Sequence, residues 1–85
     1  MKLVFADEAW EDYLYWEKQD KRMVERINKL IREIQREPLV GVGKPELLKH
    51  ALSSFWSRRI TEEHRMVYKI DGDALLIAQL RYHYK

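Results

Sequence analysis

Residues 65–78 read Arg65-Met66-Val67-Tyr68-Lys69-Ile70-Asp71-Gly72-Asp73-Ala74-Leu75-Leu76-Ile77-Ala78. Two extended, β-branched and aromatic-rich runs flank an Asp-Gly-Asp turn, so the stretch reads as a β-hairpin. Upstream, Phe55 to Thr61 forms a third extended segment, joined to the hairpin through a turn at Glu62-Glu63-His64. Downstream, the apolar run continues toward Tyr84 and abruptly carries Arg81, Tyr82, His83 and Tyr84. These segments predict a three-strand antiparallel meander.

The N-terminal half has a different period. Lys2 to Phe5 reads as a short strand. Asp7 offers an N-cap for a helix running to about Lys18, with Glu8, Glu11 and Asp12 at the positive end of its dipole. Asp20 caps a second helix, in which Met23, Val24, Ile27, Leu30, Ile31 and Ile34 recur at the three-and-four spacing of an amphipathic face. Arg36-Glu37-Pro38 ends it, since the residue before a proline avoids helical geometry. Pro38 to Pro45 is loop, and a single helical turn is expected at Glu46 to Lys49. The fold class is therefore α+β: a small antiparallel sheet with an N-terminal helical hairpin on one face, in the order β-α-α-β-β-β. Residues 1–85 make one domain.

Alternation along the strands divides the sheet into two faces. Met66, Tyr68 and Ile70 form a core row, which leaves Arg65, Val67 and Lys69 on the open face. A three-residue turn at 71–73 would bring Leu76, Ala78, Leu80 and Tyr82 to the core, and Gln79, Arg81 and His83 beside Arg65. By the same logic Arg59 joins the open face. An even turn or a bulge would reverse the parity and set Tyr84 beside Arg65 instead. The register is open at this point.

Composition narrows the function classes. The chain is 46% hydrophobic and 35% charged, with three Trp and five Tyr, which is globular rather than disordered. It has no Cys, which excludes thiolate chemistry and fits a reducing cytoplasm. No apolar run reaches membrane-spanning length, and the short N-terminal stretch is acidic too early for a signal peptide. Net charge is −1 over residues 1–43 and +3 over residues 44–85, so the basic excess lies with the polar strand tip and points toward a polyanion.

The candidate chemistry follows from residue types. Glu46, on a stiff Gly/Pro loop, can serve as a general base. His83 suits general acid–base work near neutral pH. Arg59 and Arg65 suit bidentate phosphate binding, and Lys49 could act as a point charge. Arg58 is expected to be a surface cation paired with an acidic helix residue. His50 and His64 read as structural or exposed, and Trp10, Trp16 and Trp56 as core or subunit contacts. The histidines have no metal-ligand spacing, and no phosphate loop, dinucleotide fingerprint or nucleophile elbow is present. Ser53, Ser54 and Ser57 do not sit on such an elbow. A carboxylate, a histidine and several arginines match RNA cleavage by the substrate's own 2′-hydroxyl, which needs a base, an acid for the 5′-oxygen and cations on the phosphate.

Gly43-Lys44-Pro45-Glu46, Leu48-Lys49-His50, Phe55-Trp56-Ser57-Arg58-Arg59-Ile60-Thr61-Glu62-Glu63-His64-Arg65 and the closing Arg81-Tyr82-His83-Tyr84 resemble the YoeB toxins of the RelE/ParE superfamily. Trp10, Asp12 to Trp16 and Asp20-Lys21-Arg22 agree as well, so the resemblance covers the whole chain. It implies a ribosome-dependent mRNA endonuclease acting in the A site of the 70S ribosome, without metal or cofactor. It implies Glu46 as general base, His83 as general acid and Arg65 as the group stabilising the scissile phosphate. Lys49 and Arg59 would be supporting cations and Tyr84 a substrate contact. It further implies a homodimer, neutralisation by a YefM-type antitoxin, and repression of operator DNA by the toxin–antitoxin complex. A same-fold ParE-like toxin, which poisons gyrase without cutting RNA, is the alternative. Leu47 and the glycine-free Ala51-Leu52-Ser53-Ser54 depart from the usual pattern, and Lys85 extends past its usual end.

Overall fold

A computed structural model describes residues 1–38, 45–48 and 54–82 of the chain. Its elements are β1 (Lys2–Phe5), α1 (Asp7–Gln19), α2 (Lys21–Arg36), β2 (Glu46–Leu47), β3 (Trp56–Arg59), β4 (Arg65–Asp71) and β5 (Ala74–Gln79). The two helices follow from the pattern that predicts them. In α2 the apolar stripe Met23, Ile27, Leu30, Ile31 and Ile34 is buried, and the Asp20 carboxylate accepts from the Arg22 N–H at 3.0 Å. In α1 the expected cap differs: Ala6 precedes the helix without a side-chain cap, and Asp7 is the first helical residue. There Asp7 and Glu8 still complement the positive end of the dipole.

The strands form one sheet in the order β1-β5-β4-β3-β2. The meander β3-β4-β5 is antiparallel, as expected. Two features depart from the expected architecture. β1 pairs parallel with β5, Leu3 opposite Leu75 and Phe5 opposite Ile77, so the sheet is mixed. The near-continuous apolar run of β5 is suited to a central position with a neighbour on each edge. Second, Glu46 and Leu47 form a two-residue strand against Ser57 and Trp56 in place of the expected helical turn. The Leu48 N–H extends this pairing by donating to the Phe55 carbonyl at 2.9 Å. Backbone groups here are satisfied across the sheet edge rather than along a helix.

The hairpin turn has two residues, Gly72 and Asp73, since Asp71 pairs with Ala74. Gly72 has φ +58, a conformation glycine adopts without a Cβ clash. An even turn reverses the expected parity, so Leu75 and Ile77, not Leu76 and Ala78, enter the core. A bulge then corrects the phase. Tyr68 faces Ile77 while Val67 faces Gln79, which leaves Ala78 as the extra residue. Past the bulge, Leu80 is buried, as expected, and Gln79 shares the face of Val67 and Arg65. Tyr82, expected in the core row, is instead 54% exposed.

Both helices cover one face of the sheet. Ala9 and Trp16 of α1 and the stripe of α2 pack with Ile60, Met66, Tyr68, Leu75, Ile77 and Leu80. Trp16 is thus core, Trp56 is half-buried against it, and Trp10 stays exposed, stacked on Tyr13.

Arg58 corrects another expectation. It is fully buried on the helix side, not paired on the surface. Its Nε donates to the Tyr68 hydroxyl at 3.0 Å, and its Nη2 to the carbonyls of Glu37 at 2.8 Å and Pro38 at 3.2 Å. The Tyr68 hydroxyl donates to the same Pro38 carbonyl at 2.9 Å. Burial pushes the Tyr68 hydroxyl's pKa up, and the guanidinium beside it opposes that shift. The carbonyls left over where α2 ends thereby find donors deep in the sheet.

Candidate active site on the open sheet face

The face not covered by helices is built from the pairing register. Glu46 of β2 lies opposite Ser57 of β3, Ser57 opposite Val67 of β4, and Arg59 opposite Arg65. Partners across a ladder share a face, so Glu46, Ser57 and Arg65 come together, and Arg59 pairs with Arg65 at the end of the strand.

Arg65 is the centre of this cluster. Its side chain is only 12% exposed, although a strand cation on an open face would ordinarily be solvated. The guanidinium Nε donates to the Ser57 hydroxyl, and Nη2 lies 3.4 Å from the Ser57 carbonyl and 3.7 Å from Glu46 Oε1. Glu46 itself is 59% exposed. A fixed guanidinium therefore stands beside an accessible carboxylate. Two of the fork's nitrogens are oriented by one buried serine, so the cation loses little freedom when an anion arrives. Ser57 is the residue that sequence reasoning missed, having weighed it only as a nucleophile. The signal was available in the strand pairing, which sets Ser57 one diagonal step from Arg65.

Arg59, at the end of β3, lines a groove with Arg26 and Lys29 of α2, floored by Leu30 and Ile60. Arg26 is held there by donating from Nη1 to the Ile60 carbonyl at 2.9 Å. These two α2 cations were absent from the predicted site. Their spacing on the polar face of the helix gives no hint of which strand end they approach.

Lys49, His83 and Tyr84 lie outside the described residues, and so does the choice between His83 and Tyr84 as the neighbour of Arg65. The chain leading to His83 is described as far as Tyr82. Leu80 is gripped twice by α1: its N–H donates to the Asp12 carboxylate at 3.0 Å, and its carbonyl accepts from Trp16 Nε1 at 2.9 Å. The Arg81 guanidinium stacks over Tyr15 at 3.5 Å and Tyr82 at 4.8 Å from the ring centres. Tyr82 accepts at its carbonyl from the Arg65 N–H at 2.9 Å. Among the described residues, no group of three or more His, Cys, Asp or Glu is placed to hold a metal ion.

Burial raises the Asp12 pKa from its ordinary value, with the Leu80 N–H opposing the shift. The expected result for Asp12→Ala is a stability loss of about 1–2 kcal/mol, because the Leu80 N–H loses its acceptor. Asp12→Asn keeps an acceptor and removes the desolvated charge, so it loses less. A carboxyl with a raised folded pKa is unfavourable to folding when ionised, and that penalty is relieved as pH falls through the raised value. Wild type should therefore gain stability relative to Asp12→Asn between pH 7 and the ordinary carboxylate range. Thermal melts of both variants and wild type at several pH values check this; wild type losing ground to Asp12→Asn on acidification contradicts it.

The chain is similar to known proteins along nearly its whole length. The family model for YoeB-like toxins of bacterial type II toxin–antitoxin systems matches residues 5–84. The toxin YoeB of Escherichia coli strain K12 is 62% identical over 84 residues, covering 99% of this chain and all of the relative. The YoeB dimer from Staphylococcus aureus superposes with a TM-score of 0.93 at 46% identity, covering 99% of this chain and 98% of the other. A heterotetrameric YoeB–YefM toxin–antitoxin complex from the same organism superposes with a TM-score of 0.92 at 46% identity, with the same coverage.

Proposed function

This chain belongs to the YoeB-like toxins of bacterial type II toxin–antitoxin systems, and we propose that it is a ribosome-dependent mRNA endoribonuclease. The observation that carries the reading is the Arg65 guanidinium, oriented by Ser57 and 3.7 Å from an exposed Glu46. A cation held before substrate arrives is what a phosphorane-like transition state needs, since its charge builds on the non-bridging oxygens. Glu46 takes the proton of the 2′-hydroxyl. The 2′-oxygen attacks phosphorus, the bond to the 5′-oxygen breaks, and His83 gives that oxygen its proton. The products are a 2′,3′-cyclic phosphate and a 5′-hydroxyl end, with no protein nucleophile and no metal. Arg65 neutralises the phosphate, Arg59 and Lys49 add positive potential, and Tyr84 contacts the substrate. Each proton transfer is worth roughly 10²–10⁴-fold.

The remaining roles rest on the relatives. We assign the chain a YefM-type antitoxin, as in the Staphylococcus aureus complex, and a homodimeric state, as in the Staphylococcus aureus dimer. The exposed Leu3, Val4, Trp10 and Leu14 offer apolar surface for such contacts. Repression of operator DNA by the toxin–antitoxin complex and action in the cytoplasm, where the ribosomes are, complete the proposal. Among the described residues, no helix is long and apolar enough to cross a membrane.

Translation of a defined mRNA in a purified system, with 5′ ends mapped, tests this. The expected result is cutting at codons in the A site, with little cutting of the same RNA when ribosomes are omitted. Efficient cutting of free RNA would remove the ribosome dependence. Absence of cuts by an active toxin would favour the ParE-like alternative.

A further inference from the structure

We propose that His64 is a positioning residue for RNA cleavage: its Nδ1 holds the backbone of Tyr82 and thereby aims the terminal segment that carries the proposed acid. The inference rests on the endoribonuclease reading and on His83 as its acid.

The Tyr82 N–H donates to His64 Nδ1 at 2.8 Å. An amide nitrogen has one proton and can only donate, so Nδ1 presents a lone pair and the ring proton sits on Nε2. The ring is held from both sides, edge-on to Trp16 at 4.8 Å between centroids and against Tyr82 at 5.6 Å. Its backbone is fixed as well. The His64 carbonyl accepts from Ile60 N–H at 2.8 Å and Thr61 N–H at 3.1 Å, which closes the turn between β3 and β4. His64 is therefore an immobile acceptor, half-buried beside the proposed phosphate ligand, Arg65.

Tyr82 is the residue such an acceptor is needed for. Its φ is 62, the left-handed region that residues with a Cβ disfavour, and among the described residues no other non-glycine residue has a positive φ. A conformation of this kind persists where neighbours over-determine it, and such residues cluster at functional sites. The neighbours here are consecutive: His64 takes the N–H of Tyr82, and the Arg65 N–H fills its carbonyl at 2.9 Å. One dipeptide thus clamps both polar groups of the residue preceding His83. The same pair joins the two ends of the proposed reaction, because the Arg65 side chain is the proposed phosphate ligand while its backbone holds Tyr82, the residue before the proposed acid. A displacement of about 1 Å in a reacting group can lower a rate by about 10²-fold.

The test is the ribosome-dependent cleavage assay on purified full-length variants, with rate at saturating ribosomes separated from half-saturation, and a thermal melt for each. His64→Asn places an amide oxygen near the position of Nδ1. His64→Gln places its amide near Nε2, and His64→Phe keeps the ring without an acceptor. The expected outcome is a rate within about threefold of wild type for Asn, and a loss of about tenfold or more for Gln and Phe with half-saturation little changed. Nitrogen NMR of the wild-type imidazole should show Nδ1 unprotonated. Equal rates for Asn and Gln, or undiminished cutting by Gln, would overturn the inference, as would a protonated Nδ1. If Phe does not fold, the Asn–Gln comparison decides. A wild-type protein that does not cut would instead overturn the endoribonuclease reading, and a His83→Ala variant that cuts as well as wild type would overturn the acid assignment.

Discussion

Replacing Arg58 by alanine is expected to destabilise the fold by about 3–5 kcal/mol, the largest stability effect of any polar substitution among the described residues. The side chain is fully buried, and its guanidinium donates to the Tyr68 hydroxyl and to the carbonyls of Glu37 and Pro38. Hydrogen bonds from a charged donor contribute about 1.5–3 kcal/mol each, and the acceptors left behind are shielded from water. The Pro38 carbonyl retains the Tyr68 hydroxyl as a donor, so its loss is partial. A domain of this length has a total stability of roughly 4–13 kcal/mol, so the variant approaches the unfolding threshold. Arg58→Met fills much of the volume and should recover part of the loss, leaving the Glu37 carbonyl as the main deficit at about 1–3 kcal/mol. Denaturant melts with unchanged slope would measure both. An Arg58→Ala midpoint shift equivalent to less than about 1 kcal/mol would mean that the guanidinium gains little over solvation, contrary to its burial.

Arg58 also marks where sequence patterns stop informing. Hydropathy assigns arginine to the surface, and only tertiary packing reveals that the oxygens of Tyr68, Glu37 and Pro38 converge on this one. The long periodic elements were legible: the stripe Met23 to Ile34 dictates a helix, and the apolar runs on each side of Gly72 dictate a hairpin. The parity of β5 was not, because a two-residue turn shifts it by one place and the bulge at Ala78 shifts it back. β2 was hidden by its length, since Glu46-Leu47 has no period of its own and exists through its pairing with Ser57 and Trp56. In the candidate site, residue chemistry singled out Glu46, Arg59 and Arg65, and the register brings Glu46 and Arg65 to one face, with Arg59 at the strand end beside α2. It could not single out Ser57, His64 or Asp12. Their roles are hydrogen bonds to a guanidinium or to distant backbone, and such partners leave no mark on local composition.

Arg65→Ala should lower ribosome-dependent cleavage by about 10²–10³-fold, the loss associated with removing one preorganised donor from a developing oxyanion. The loss is expected in the rate at saturating ribosomes more than in half-saturation, since in the proposed mechanism the guanidinium meets charge that grows in the transition state. Stability should fall far less, by about 1 kcal/mol. The side chain donates to Ser57 and lies 3.7 Å from Glu46, but Glu46 is mostly solvated and such exposed pairs contribute little. Arg65→Lys separates charge from geometry. A lysine restores the positive charge but not the fork that binds Ser57 and a phosphate oxygen together, so it should recover only a fraction of the rate. The backbone N–H that donates to Tyr82 survives both substitutions, so the two variants probe the guanidinium and not the docking of the terminal segment. Cleavage at the wild-type rate by Arg65→Ala would remove Arg65 from the reaction. A stability loss above about 3 kcal/mol would place it instead among buried structural arginines, where Arg58 stands, and the activity loss would then say nothing about phosphate.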